Sequence, residues 1–228
     1  MKLIYIANLR IPTMRAHGIQ VMKMAEAFAE RGISAELLIP RRFFELRGDP
    51  FQYHQVSKIF QIKKFLNLDT LQLPLGRIGF WITTFTFLLP IKFYLLFKKY
   101  DIIYTRELLA GIFFSNFILE IHHLPERIGF FYEYFLKKAG LIVVITSYLK
   151  KELIGAGIPE NKIIVLPDSV DLSEFDKDIS KEEARKKLDL PMDKKIVVYT
   201  GSFSIYNWKG LDVLLEAAKQ FTNDYLFV

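Results

Sequence analysis

The chain has no cysteine, which excludes a disulfide framework and thiolate metal centres and suits a reducing compartment. Histidine is scarce, with 4 residues, and tryptophan scarcer, with 2. No GxGxxG turn follows a strand-like run, which argues against a nicotinamide or flavin enzyme. Ser147 stands in no GxSxG context, so a serine hydrolase lacks its nucleophile elbow. Solenoid-length repeats and low-complexity tracts are absent as well. The opening MKLIYIANLR holds an apolar run, Leu3 to Ala7, too short for a signal-peptide core, and no small-residue cleavage site follows. It reads as a first buried strand, and the chain as cytoplasmic.

What is present is apolar and aromatic. Hydrophobic residues make up 51% and aromatics 15%, including 21 Phe, a composition that excludes disorder. The 228 residues suffice for one large core, or for one domain and part of another. A net charge of +6 fits an anionic partner, a membrane surface or phosphates. Nucleic acid is disfavoured, because the Lys and Arg residues are scattered and no reader motif accompanies them.

Strand-like and helix-like segments alternate, the pattern of an α/β fold with a Rossmann-like parallel sheet and helices on both faces. Strands are expected at Leu3 to Ala7, at Ala35 to Ile39 (closed by Pro40), and at Asp101 to Tyr104. Further strands are expected at Phe117 to Ile121, Leu141 to Ile145 and Ile163 to Leu166. A helix over Gly18 to Arg31 would turn Ile19, Met22, Ala25 and Phe28 inward, with Gly32 just past its end. Another helix is expected from Ser147 to Gly155. The charged stretch from Ser169 to Lys194, with a short helix near Lys181 to Leu188, reads as a linker. Residues 1–172 then form the first domain, 173–193 the linker, and 194–228 the start of an incomplete second Rossmann-like domain. In that last part a strand, Ile196 to Tyr199, leads through a loop to a helix opened by Gly210, and Tyr225 to Val228 follows.

Phe80 to Phe97 is almost wholly apolar and close to membrane-spanning length. Pro90, Lys92 and three threonines weigh against a span. A core helix and a helix lying in an anionic headgroup layer are the alternatives left open.

Several short patterns bear on chemistry. In NLRIPTMRAHGIQ, Asn8 to Gln20, a strand turns into a helix with Gly18 at its start. Such a glycine either lets backbone approach a ligand or is a plain structural feature. FILEIHHLP places Glu120, His122 and His123 where a strand meets a loop, the end at which open α/β sheets bind ligands. There a histidine hydrogen-bonds substrate or moves a proton, unless the pair is simply a surface loop. Neither His17 nor His54 lies at metal-ligand spacing. Asp176-Lys177-Asp178 is a DxD tripeptide, but it falls in the charged linker, where solvation explains it. Lys209 precedes a helix N-terminus, whose open N–H groups and dipole favour a phosphate, or else is an exposed loop lysine.

Together these segments resemble the retaining glycosyltransferases of family four, which have two Rossmann-like domains (the GT-B fold). The resemblance is carried by NLRIPTMRAHGIQVMKMAEAFAERG, DIIYTRE, LEIHHLP, VITSYLKKELIGAGIPENKIIVLPDSVD and YTGSFSIYNWKG, in that order. It implies transfer of a sugar from a UDP- or GDP-sugar to a glycan or lipid-linked acceptor, at the inner face of the plasma membrane or in the cytoplasm. By resemblance His122 is the catalytic histidine facing the donor sugar, and Gly18, Gly201, Ser202 and Lys209 serve the donor diphosphate. Asn8, Arg15, His17, Arg106, Glu107, Glu120 and His123 would line the acceptor side. No metal or other cofactor is implied, since fixed cations and helix termini neutralise the leaving diphosphate. Ser202 stands where many relatives carry arginine, and the paired glutamates that grip the donor would lie beyond Val228. Little transferase activity is therefore expected of these 228 residues alone. A non-catalytic acceptor- or membrane-binding module and a sugar-nucleotide epimerase of the same fold are the competing readings.

Overall fold

Runs of β-branched residues form strands, and the segments between them coil against both faces of the sheet. The computed structural model describes residues 1–42, 46–71, 73–175, 178–201 and 210–228. The chain divides into two compact units, Met1–Asp168 and Ser169–Val228.

The first unit runs β1 (Lys2–Ile6), α1 (Ala16–Glu30), β2 (Ser34–Arg41), α2 (Pro50–Tyr53), β3 (Gln61–Leu66), α3 (Gly76–Leu96) and β4 (Ile102–Thr105). It continues through a 3-10 turn (Leu108–Ile112), β5 (Ile118–Ile121), α4 (Phe130–Lys138), β6 (Leu141–Val144), α5 (Ser147–Gly155) and β7 (Ile163–Val165). The strands form one sheet in the order β3-β2-β1-β4-β5-β6-β7, every pair parallel. This is a Rossmann-like order, whose direction of progression reverses between β1 and β4.

Alternation along β1 divides the core between the two faces. Ile4 and Ile6 pack with Phe87, Leu88 and Ile91 of α3, Leu136 of α4 and Leu153 of α5. Leu3 and Tyr5 pack on the other side with Val21, Met22 and Ala25 of α1 and Phe51 of α2. Between α1 and β2, Gly32 takes φ +76°, and Ile33 N–H reaches back to the Phe28 carbonyl at 3.1 Å, closing the helix as expected.

Three local expectations need correction. Met22 and Ala25 face inward as expected, but Ile19 is 47% exposed, and Gly18 and Val21 are buried in its place. A Cβ at Gly18 would lie 2.1 Å from Thr13 Cγ2, so a larger residue there would force the Thr13 side chain to move. Second, β2 continues through Pro40 to Arg41. Strand β3 still pairs opposite Pro40 and Arg41, but pairing with β1 ends at Leu38. Leu38 turns its carbonyl to the β1 side, and Pro40, two residues on, turns its missing N–H to that same side, past the end of the β1 ladder. Third, β3 and α2 were not anticipated.

The second unit holds α6 (Leu172–Phe175), α7 (Lys181–Lys187), β8 (Lys195–Val197), α8 (Leu211–Ala218) and β9 (Tyr225–Phe227). Strands β8 and β9 pair in parallel. Ser180 and Glu183 form a reciprocal capping box at the start of α7, and Gly210 caps α8 at φ +69°. Asp176, Lys177, Ser202 and Lys209 lie outside the described residues.

Candidate functional site

Strand β5 carries Ile118, Glu120 and, just past its end, His122 at alternate positions, so all three share the face covered by α1. Glu120 is a carboxylate in an otherwise apolar strand and is 4% exposed. It survives burial because it is surrounded by donors. Tyr104 from β4 donates its hydroxyl to Glu120 Oε2, and His122 Nε2 contacts Oε1. A carboxylate only accepts, so Nε2 is the donor. Gln20 of α1 adds its amide at 3.2 Å, and Arg106 Nε stands 3.9 Å away. Burial pushes the Glu120 pKa up, but the hydrogen bonds from His122 and Tyr104 and the Arg106 charge outweigh it and hold the group ionised, below its usual range. Tyr104 is kept neutral by burial and by that neighbouring carboxylate. Its ring sits edge-on to Tyr5 and Phe28, at 5.1 and 5.3 Å.

Gln20 is the centre of the constellation. Arg106 Nη1 donates to its carbonyl at 2.7 Å, while its amide reaches Asp168 Oδ1 at 2.6 Å and lies 3.4 Å from His122 Nε2. His122 Nδ1 faces Asp168 Oδ2 at 3.7 Å, beyond hydrogen-bond range. The Asp168 side chain is half exposed, and that of His122 is 16% exposed. Nδ1 is thus the ring nitrogen that Glu120 leaves unengaged, with the half-exposed Asp168 carboxylate beside it. Among the described residues, Glu120, His122 and Asp168 also bring possible metal-ligand atoms within 4.8 Å of one another. The Glu120 oxygens are already engaged by Tyr104, His122 and Gln20, with a guanidinium alongside, a poor fit for a cation.

Beside this cluster, at the reversal between β1 and β4, lies a second polar set. Glu107 accepts the Asn8 N–H at 3.1 Å; burial raises its pKa despite that bond and the nearby Arg106 and Arg42 charges. Asn8 Oδ1 accepts from Arg42 Nη2 at 2.6 Å, and Arg42 Nη1 donates to Asp69 at 2.7 Å. Both side chains of that ion pair are 2% exposed. Arg10 joins Asp69 at 3.2 Å. Burial alone would raise the Asp69 pKa, but the hydrogen bonds from Arg42 and Arg10 bring it below its usual value.

The residues expected from sequence thus fall in different places. Glu120, His122 and Arg106 come together; Asn8 and Glu107 form the adjoining set. His17 is partly buried, and burial, followed by the charges of Arg106 and Arg15, lowers its pKa. Arg15 is the exposed N-cap of α1. His123 is exposed and takes no part in the cluster. Gly18 lies inside the first turns of α1, where a Cβ would press on the Thr13 methyl. Gly201 is exposed, next to the Tyr199 ring. Gln20, Tyr104 and Asp168 were not anticipated as site residues. A hollow of about 740 Å³ along β3, lined by Lys58, Phe60 and Lys63 among others, shares no residue with either set.

Residues 18–174 match the model of Glycosyltransferase Family 4. The chain belongs to that family. Comparison with curated proteins found no match. Among solved structures, HepE of Anabaena in complex with UDP superposes with TM-score 0.67 at 16% identity, over 100% of this chain and 60% of that one. The lipopolysaccharide outer core galactosyltransferase WaaB, in its apo form, gives 0.61 at 12%, over 100% and 60%. UDP-GlcNAc 2-epimerase from Neisseria meningitidis bound to UDP-GlcNAc gives 0.61 at 14%, over 100% and 65%. These likenesses establish the fold, and this Family 4 chain spans about 60% of the length of the first of them.

Proposed function

We propose that this Family 4 chain carries the acceptor-side domain of a glycosyltransferase that moves a sugar from a nucleotide-sugar to a glycan or lipid-linked acceptor, with retention of configuration. The observation that supports it most is His122 at the carboxyl end of β5, its Nε2 held by buried Glu120 and its Nδ1 facing the half-exposed Asp168 carboxylate. A ring held in this way offers a hydroxyl one directed nitrogen and pays little ordering entropy on binding. Arg106 and Gln20 keep Glu120 and Asp168 in place. HepE was solved with UDP and with UDP-glucose, which supports a nucleotide-sugar as donor here. Lys209 is assigned to the diphosphate on the sequence resemblance alone. The assigned groups include no catalytic metal, and the reaction is placed in the cytoplasm.

The test is calorimetric titration of the chain with UDP, GDP and UDP-glucose. Lys209→Ala should weaken nucleotide binding about tenfold, as expected when a charged group loses its phosphate. His122→Ala should leave UDP unaffected and weaken only the sugar nucleotide. Affinity for UDP or GDP that is indifferent to Lys209 rejects the diphosphate assignment and with it the transferase reading of this loop. The match to the Neisseria epimerase favours a second reading, sugar-nucleotide epimerisation. Conversion of UDP-GlcNAc without an acceptor would decide for it.

A further inference from the structure

Helix α3 is built with its polarity reversed. Its hydroxyl groups point into the protein: Thr83 and Thr84 are fully buried. Thr83 meets Thr70, Thr84 accepts from the Asn8 amide at 3.1 Å, and Thr86 accepts from Leu68 N–H at 3.1 Å. Phe87, Leu88, Ile91 and Leu95 complete the inner face. The outer face carries Ile78, Trp81, Phe85, Phe93 and Leu96, each between 44% and 66% exposed. Their spacing puts them on one stripe of a 21-residue helix, about 31 Å long at 1.5 Å per residue. An exposed patch of large apolar side chains on this scale marks a surface that is covered in use.

The charges around the stripe say what covers it. No Asp or Glu occurs between Asp69 and Asp101, whereas Arg77, Lys92, Lys98 and Lys99 do. Lys98 is engaged with Glu36; Arg77 and Lys99 are exposed. A second copy packed on the same stripe would set these cations against their own kind, because a two-fold contact is self-complementary. Aromatic and aliphatic side chains ringed by cations suit the headgroup layer of an anionic bilayer. With its other face hydrogen-bonded into the sheet core, α3 lies along such a surface and does not cross it.

We propose that the outer face of α3 docks the first unit on an anionic lipid bilayer, with Trp81, Phe85 and Phe93 inserted and Arg77 and Lys99 at the headgroups. This stands independently of the sugar-transfer reading. The test uses the full chain with Trp208→Phe, so that Trp81 alone reports. Phosphatidylcholine vesicles containing phosphatidylglycerol should shift its emission to the blue, and brominated lipid should quench it. Phe85→Glu with Phe93→Glu, both exposed positions, should lower vesicle partitioning about tenfold or more with unchanged circular dichroism. Arg77→Gln with Lys99→Gln should lower it several-fold for anionic vesicles only. Absence of quenching by brominated lipid overturns the proposal even if the charged variant misfolds. So does partitioning indifferent to the two Phe substitutions, or a dimer that those substitutions dissociate in a chain that binds no vesicles.

Discussion

The two units of this chain contain similar elements and differ in what those elements bury. In Met1–Asp168, seven strands and the helices on both faces take Ile6, Leu38, Phe87 and Phe117 completely out of water. In Ser169–Val228, no described residue is buried: Val213 is 68% exposed and Leu215 58%. Helix α8 is as amphipathic as any in the first unit, but a sheet of two strands has too little face to cover it. A strand-helix-strand unit has its pattern written locally, whereas a core depends on how many such units stack. The contrast concerns interior, not secondary structure.

Hydrogen exchange should break or sharpen this most widely. Amides of β1, β4 and β5 should exchange only through global opening, orders of magnitude more slowly than those of β8 and β9. Equal protection in the two units would refute the comparison. Next in size, Phe87→Ala should cost roughly 3–5 kcal/mol, while Leu215→Ala should change stability by less than about 0.5 kcal/mol; denaturant titration measures both. Arg42→Met removes the fully buried partner of Asp69 and leaves it to Arg10 alone; it should cost about 2 kcal/mol, and Asp69→Asn in the same background should recover part of it. Glu120→Gln should cost about 1–3 kcal/mol at neutral pH and weaken the acid dependence. The folded pKa of Glu120 lies below its unfolded value of 4.5, so its contribution is complete above that value and is lost as the pH falls through the folded one. Glu107, shifted upward by burial, acts with the opposite sign. The smallest effect expected is none: a chelator should leave nucleotide affinity unchanged, because the Glu120 oxygens are already engaged.

Much of the parallel sheet was legible because buried strands such as Leu141 to Val144 are continuous apolar runs rich in β-branched residues and the helices between them keep a helical period. Strand β3 was not legible. It lies at the edge of the sheet, and its sequence QIKKFL carries two lysines where an inner strand would carry valine. Pro40 hid the end of β2, because proline breaks a ladder only on the side to which its N–H would point, and there β1 has already ended while β3 continues on the other side. In the site, Glu120 and His122 could be found because a carboxylate within an apolar strand is conspicuous and the strand period puts both on one face. Gln20 and Asp168 could not. Their partnership spans 148 residues, and neither residue departs from ordinary composition for its element. Arg42 and Asp69, 27 residues apart, were missed too, because neither departs from ordinary composition for its segment.

Helix α3 carries a practical lesson about averages. A profile summed along a chain weighs each threonine the same whether it meets solvent or another hydroxyl, so it overstates how well the folded surface is wetted. Here the hydroxyls are spent inside, and the outside is greasier than the composition suggests. Handling the protein at high concentration without lipid or detergent would therefore select for clumping, even though every domain is correctly folded.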